Sequence, residues 1–310
     1  PNPLVSLRAV GKTFSNGTVA LQGMSLNIGQ GEFVSLLGPS GCGKSTTGKL
    51  ILRLLEPTAG VVKMDGEDIF SASAPRMREL RKKMQIIFQD PYASLNPRMT
   101  IGSIVSEPFY VHNIGLKRDR LDMAAQLLAK VGMGADSLNR YPHEFSGGQR
   151  QRVGIARAIA LNPRLVICDE PVSSLDVSIQ AQVINLLVDL QEEAGMAYLF
   201  ISHDLSVIEH MCDNVGVMYL GKIVEMARAG EIYTNPLHPY TEALLSATPL
   251  PDPQKKVRRI VLKGDVPSAI NPPSGCVFHT RCPLKIDDCS KIVPPLTKRR
   301  NDHFSACIVR

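Results

Sequence analysis

Apolar positions along the chain fall into short runs divided by glycine, proline and polar clusters, and the runs predict alternating strands and helices. Residues 31–38 read Gly-Glu-Phe-Val-Ser-Leu-Leu-Gly, a run suited to a buried strand. After a glycine-rich stretch, Leu50, Ile51, Leu52, Leu54 and Leu55 recur at a spacing that predicts a helix packed on a sheet. Asp119 to Val131 reads as a further helix, Val153 to Ala160 as an amphipathic one, and Leu165-Val166-Ile167-Cys168 as a second buried strand. Strands alternating with helices imply an α/β fold. Thr248 to Pro253 reads TPLPDP; three prolines in six residues sustain neither a helix nor a central strand, so a boundary is drawn near residue 250. The chain then divides into a domain over 1–250 and an extension over 251–310.

Charge and cysteine change at the same place. The whole chain of 310 residues carries 35 Lys and Arg against 29 Asp and Glu. Residues 253–310 alone hold 12 of those basic residues and four acidic ones, so the net positive charge belongs to the extension. A basic tail attracts nucleic acid or an anionic lipid surface, or is simply a solvated charged extension. Cys42, Cys168 and Cys212 are scattered, whereas Cys276, Cys282, Cys289 and Cys307 are crowded together. With 44% hydrophobic residues the chain has apolar mass for a core, which excludes intrinsic disorder. No run approaches the roughly 18 apolar residues of a membrane span, and the first residues lack a signal-peptide pattern, which together point to a cytosolic chain.

The glycine-rich stretch between the first predicted strand and helix is Gly38-Pro39-Ser40-Gly41-Cys42-Gly43-Lys44-Ser45-Thr46. Gly38, Gly43, Lys44 and Ser45 satisfy G-x-x-x-x-G-K-[ST], a phosphate-binding loop in the strand-loop-helix order that its mechanism needs. Gly41 and Gly43 let backbone N–H groups converge on a phosphate, and the helix N-terminus adds favourable partial charge. Lys44 is suited to bridge β- and γ-phosphates, Ser45 to ligate Mg²⁺, and Thr46 to donate to a phosphate oxygen. The second buried strand ends in Asp169-Glu170. Asp169 can hold Mg²⁺ through its water shell, and Glu170 can orient an attacking water or accept its proton. Cys168, within the strand, reads as a small buried hydrophobe.

Phe145-Ser146-Gly147-Gly148-Gln149 opens the amphipathic helix, and Ser-Gly-Gly at a helix start is a second anion-binding shape. Here residues 4–250 resemble the nucleotide-binding subunits of ATP-binding cassette (ABC) transporters, whose signature is Ser-Gly-Gly-Gln shortly before the strand bearing two carboxylates. The resemblance implies a P-loop cassette with a helical subdomain carrying the signature. It implies roles for Phe14 (stacking on adenine), Gln89 (sensing Mg²⁺ and coupling to membrane helices), Ser174-Leu175-Asp176 (the D-loop) and His203 (sensing the γ-phosphate). Taken singly, Phe14 reads as core, Gln89 as surface and His203 as a helix cap; their order around two independent motifs favours the family roles. The resemblance further implies a head-to-tail pair of ATPase subunits. ATP on one loop is capped by Ser146, Gly148 and Gln149 of the other subunit, and closure drives two transmembrane permease subunits.

Phe88-Gln89-Asp90-Pro91-Tyr92-Ala93-Ser94-Leu95-Asn96-Pro97-Arg98-Met99 and His238-Pro239-Tyr240-Thr241 are similar to segments of the oligopeptide and dipeptide importer ATPases of the F type. So are Gly275-Cys276-Val277-Phe278, Arg281-Cys282-Pro283 and Ala306-Cys307. The same subfamily serves nickel complexes, glutathione, opines and some sugars, because an external solute-binding protein and the membrane subunits select the solute. The resemblance places the chain on the cytoplasmic face of the cell membrane. On count alone the four tail cysteines suit Zn²⁺ or an iron-sulfur cluster, and disulfides belong to oxidising compartments. Their spacings lack C-x₂-C pairs, and the resembling ATPases imply a [4Fe-4S] cluster as a staple for a small extension with Pro272-Pro273 and Pro294-Pro295. His279 and His303, in polar surroundings, read as solvated.

Three other functions compete with a transport ATPase. A DNA-repair or translation ABC ATPase needs long coiled coils or two cassettes, which this chain lacks; a kinase or GTPase does not explain Ser-Gly-Gly-Gln. A nucleic-acid-binding tail rests on charge and cysteines alone, and no nucleic-acid partner is expected.

Overall fold

Five consecutive buried residues, Phe33 to Leu37, make a strand covered on both faces, as the apolar run requires. A computed structural model describes residues 2–209, 211–247 and 259–310. The TPLPDP boundary near residue 250 therefore lies outside the described residues. The chain forms two compact units, one of Pro1–Ile28, Phe33–Ser71 and Ser202–Arg310, the other of Gly29–Glu32 and Ala72–Ile201.

The first unit opens with β1 (Val5–Thr13), β2 (Val19–Ile28), β3 (Phe33–Leu37), α1 (Lys44–Ile51), β4 (Ala59–Met64) and β5 (Glu67–Asp68). Strand β1 is central in an antiparallel sheet of order β2-β1-β4-β5, pairing Leu7 with Leu26 on one side and with Val62 on the other. Burial alternates along β2, the mark of a sheet with one covered face. The helix predicted from the leucine run ends earlier than the spacing implies. Arg53 takes a left-handed φ of 51°, and Leu54 N donates to Lys49 O, so Leu52 to Leu55 form a turn with Leu54 largely exposed.

The second unit contains α2 (Ala74–Lys83), β6 (Met84–Ile87), α3 (Ile101–Val111), α4 (Arg120–Lys130), α5 (Gly147–Ile159), β7 (Leu165–Asp169), α6 (Val177–Ala194) and β8 (Ala197–Ser202). Parallel β6, β7 and β8 pair in that order, with Leu165 opposite Met84 and Ala197. All residues of β7 and β8 are buried, the near-continuous apolar pattern of parallel strands with covered faces. Helix α4 matches the predicted Asp119–Val131 segment, its caps falling on those two residues.

The chain returns to the first unit through α7 (Leu205–Glu209), β9 (Asn214–Tyr219), β10 (Lys222–Arg228), α8 (Ala229–Thr234) and α9 (Pro239–Ser246), and ends with β11 (Thr297–Arg300) and β12 (His303–Ser305). Five strands of this unit pair in the order β11-β12-β10-β9-β3, with β3 parallel to β9. The extension is thus built into that sheet, Ser305 opposite Glu225 and Phe304 opposite Met226. Its Phe278 is fully buried between Tyr219 and Tyr240, with ring centroids 5.3 Å from each.

Candidate functional site: a phosphate loop and a carboxylate strand end

In the first unit, the chain leaves β3 at Gly38, curls through residues 39–43 and enters α1 at Lys44. Gly43 is the N-cap of α1 at φ 108°, and a Cβ there would stand 2.4 Å from Ala20 O, so only glycine fits. No side chain caps this helix, which leaves its first N–H groups to an anion. The loop is braced from behind by the β9–β10 turn, where Gly221 N donates to Cys42 O at 2.9 Å. Lys44 is buried, its Nζ donating to Gly38 O at 2.7 Å and Pro39 O at 3.0 Å, so its charge is held over the loop. Thr47, absent from the sequence-based set, is fully buried and donates to Gly43 O at 3.0 Å, fastening loop to helix. Ser45 and Thr46 are half-buried, whereas Ser40 and Gly41 are exposed.

Phe14 lies just after β1, half-buried rather than in the core, with Lys12 Nζ 5.3 Å from its ring centroid. The turn that carries it is closed by Phe14 N donating to Thr18 O at 2.9 Å and Gly17 N to Phe14 O at 2.9 Å. His203 stands exposed immediately after β8, in a turn where Asp204 N donates to Ser202 Oγ at 2.9 Å.

In the second unit, β7 delivers buried Asp169 at its C-terminal end, followed by Glu170. Glu170 has a left-handed φ of 48°, a conformation costing about 1 kcal/mol or more for a residue with a Cβ. Two contacts hold it there: its N–H donates to Ile201 O at 3.0 Å, and its C=O accepts from Ser173 Oγ at 3.1 Å. Gln89, 81 residues earlier and exposed, donates from Nε2 to Glu170 Oε2 at 3.0 Å. These two predicted residues are thus brought together, and the half-buried carboxylate can address a water beside them.

The signature segment forms the start of α5. Ser146 is the N-cap; its Oγ accepts from Gln149 N at 3.3 Å while Gln149 Oε1 accepts from Ser146 N at 2.9 Å, a reciprocal capping box. Both side chains face solvent. Gly147 is half-buried, and a Cβ at buried Gly148 would stand 2.5 Å from Ile179 Cγ2, so the second glycine permits close packing on α6. Asp176 is the exposed N-cap residue of α6, next to Val177, which is 82% exposed.

Two arginines of α5 carry a structural role that no sequence motif marks. Arg150 lies 3.6 Å from the ring centroid of Tyr92, and Arg157 donates from Nη1 to Ser94 O at 2.8 Å. They lock the segment after Gln89 onto the signature helix. Burial of Arg157 lowers its pKa, so this cation is retained for its bonds at the expense of solvation. Arginines within an otherwise apolar helix face were the available signal.

The tail cysteines are all free; Cys276, Cys289 and Cys307 are buried and Cys282 is half-buried. Burial raises the pKa of Cys276 and Cys282; Cys289 and Cys307 add to both shifts, and Cys276 adds to that of Cys282. The His279 N–H donates to Cys276 O at 3.0 Å, closing a turn at the first of these cysteines. Among the described residues, no three His, Cys, Asp or Glu side chains form a group able to hold a metal ion. His303 is not solvated: it is buried, its Nε2 2.6 Å from Oε1 of buried Glu225. The surroundings that read as polar in sequence are closed over by β10 and β12. His279 is half-buried, with Nδ1 2.8 Å from Cys276 O.

A phosphate loop opening a helix, a strand ending in paired carboxylates and a Ser-Gly-Gly-Gln helix start together define an ATP-binding cassette. The chain matches the ABC transporter family over residues 21–173 and the oligopeptide/dipeptide transporter C-terminal region over residues 224–289. The oligopeptide transport ATP-binding protein AppF of Bacillus subtilis is 54% identical over 93% of this chain and 88% of its own. A Brucella ovis protein, provisionally named a peptide import ATP-binding protein, is 54% identical over 99% of this chain and 98% of its own. Among solved structures, the ATP-binding cassette MJ0796, a dimer in a post-hydrolysis state with ADP and Pi, has TM-score 0.67 and 32% identity over 73% of this chain and 98% of its own. The chain belongs to the ABC transporter ATP-binding proteins. ATP and Mg²⁺ are the ligands expected of that family. Among the described residues no helix is long and apolar enough to cross a membrane.

Proposed function

We propose that this chain hydrolyses ATP to drive import of di- or oligopeptides through a membrane ABC transporter. The match of residues 224–289 to the oligopeptide/dipeptide transporter C-terminal region carries the peptide assignment, since the cassette itself does not touch a solute. The same role for a nickel complex, glutathione, an opine or a sugar is the alternative.

In this reading the N–H groups of residues 40–46 and Lys44 hold the phosphates of ATP, and Phe14 stacks on the base. Ser45, Gln89 and Asp169 serve Mg²⁺, directly or through its water shell, and that ion neutralises developing phosphate charge when bound. Glu170, oriented by Gln89, takes the proton of the attacking water, and His203 contacts the γ-phosphate. Ser146, Gly147, Gly148 and Gln149, with Asp176 of the D-loop, face the nucleotide of a second ATPase subunit, identical or homologous. The exposure of Ser146, Gln149, Asp176 and Val177 supports an interface there. Two permease subunits and, through them, an extracytoplasmic solute-binding protein complete the assembly, with the chain peripheral on the cytoplasmic face of the membrane.

The tail cysteines are assigned to a [4Fe-4S] cluster, with Zn²⁺ as the alternative. What supports this is donor chemistry alone, four free thiols within one short extension, since among the described residues no three of them are gathered as a metal-holding group. Cys276, Cys282, Cys289 and Cys307 would hold it, and its role is to staple an extension over 251–310. Iron and acid-labile sulfide assayed after anaerobic purification distinguish cluster from zinc.

The ATPase reading is tested with Glu170→Gln in the assembled transporter. The variant retains ATP binding and loses at least about a hundredfold in turnover. Unchanged steady-state hydrolysis, with the partner site disabled, removes Glu170 from its role.

A further inference from the structure

An irregular strap from the extension runs along the nucleotide site in the first unit. Ile260 N donates to Ser246 Oγ at 3.0 Å, Leu262 packs into the core, and Cys276 N donates to Cys289 O at 2.8 Å. Between these anchors, Ala269 O accepts the N–H of Val19 at 2.9 Å. Val19 begins β2, directly after the turn that carries Phe14. On the same turn, a Cβ placed at Gly17 would lie 3.9 Å from Ile270 Cγ2. A cavity of about 190 Å³ separates Pro39, Ser40, Gly41 and Cys42 of the phosphate loop from Val266 and Pro267 of the strap. One short segment therefore touches the turn that carries Phe14 and faces the first half of the phosphate loop across this cavity.

The strap is built to be stiff without regular secondary structure. Pro267, Pro272 and Pro273 fix three φ angles in seven residues, and each restricts the residue before it. Val266 and Ile270 are about half exposed, at 46% and 52%, so neither is there to fill the core. Val266 instead lines the cavity beside the phosphate loop, and Ile270 lies beside Gly17 of the Phe14 turn.

Resting on the nucleotide-site reading above, we propose that Val266–Ile270 is a wall of that site and positions the Phe14 turn and residues 39–42 for a purine nucleoside triphosphate. The strap makes the extension part of the ATP-binding apparatus. Its residues are positioning residues: they set nucleotide affinity and leave the hydrolytic groups alone.

The test uses the full chain with Pro267→Gly and, separately, Ile270→Ala, beside Lys44→Ala, with ATP titrated calorimetrically and the nucleotide-free melting midpoint recorded. Pro267→Gly is expected to weaken ATP binding about tenfold and Ile270→Ala severalfold, with the nucleotide-free midpoint unchanged. In the assembled transporter both raise KM for ATP and leave kcat as it was. Wild-type ATP affinity in both strap variants, while Lys44→Ala loses binding, overturns the strap proposal and spares the nucleotide site. Wild-type affinity in Lys44→Ala removes the site assignment itself. Should Pro267→Gly lower stability and affinity together, Ile270→Ala decides: its side chain is half exposed, and wild-type affinity there overturns the proposal.

Discussion

Glu170 and Gly43 show how single residues meet unusual backbone demands. Glu170 accepts a left-handed φ because its N–H and C=O are both tied down, and that conformation sets its carboxylate against the Gln89 amide. The adjacent carboxylates at a strand end were evident from Asp169-Glu170 alone, but the amide partner lies 81 positions away and no local spacing announces it. Gly43 is the reverse case. Its need for glycine was legible in the loop pattern, and the structure supplies the magnitude: a Cβ 2.4 Å from Ala20 O and 2.8 Å from Leu21 Cδ2. Gly43→Ala is therefore expected to cost about 2 kcal/mol in stability, through overpacking and a disfavoured φ, and to abolish ATP binding. Urea unfolding and nucleotide titration of the purified variant check both effects.

Elements built on periodic apolar runs matched their sequence signals, and elements that end on unusual backbone did not. Strands β3 and β7 and helices α4 and α5 follow from run length and spacing. The leucine run after the phosphate loop extends past the helix it predicts, because a left-handed Arg53 stops α1 where periodicity alone carries it on. At α9, the N-cap is His238, whose Nδ1 accepts from Tyr240 N at 3.1 Å. Burial pushes its pKa down to about 3 from 6.5, so the folded chain keeps it neutral where the unfolded chain takes a proton. Its cost is absent above pH 6.5 and grows as pH falls from 6.5 toward 3. His238→Asn replaces the ring-nitrogen acceptor with an oxygen cap and removes this titration. Urea midpoints measured across that window should fall less steeply with acid in the variant than in the parent; equal slopes would detach His238 from the acid response.

For the whole molecule, the described part of the extension is continuous with the first unit's core, not a pendant tail. Phe278 fills a site lined by Tyr219 and Tyr240, β12 pairs with β10, and the His303–Glu225 pair is sealed between those strands. Glu225 also accepts N–H groups from Leu237 and His238, so one buried carboxylate joins β10, the start of α9 and the extension. Phe278→Ala should cost about 3–5 kcal/mol, and calorimetry should show the first unit melting early even though the substitution lies in the extension. If only residues near 278 lost protection in hydrogen exchange while the melting midpoint held, the shared core would be disproved. By itself the sequence determined the phosphate loop, the carboxylate strand end, the signature helix and the family, because each is a short pattern whose backbone chemistry is complete within a few residues. Only the tertiary structure decided that Gln89 meets Glu170, that His303 is buried on Glu225, and that the extension reaches the Phe14 turn. Those contacts join residues far apart in the chain, and what pairs them is the path of the backbone between, which carries no periodic signal to be read.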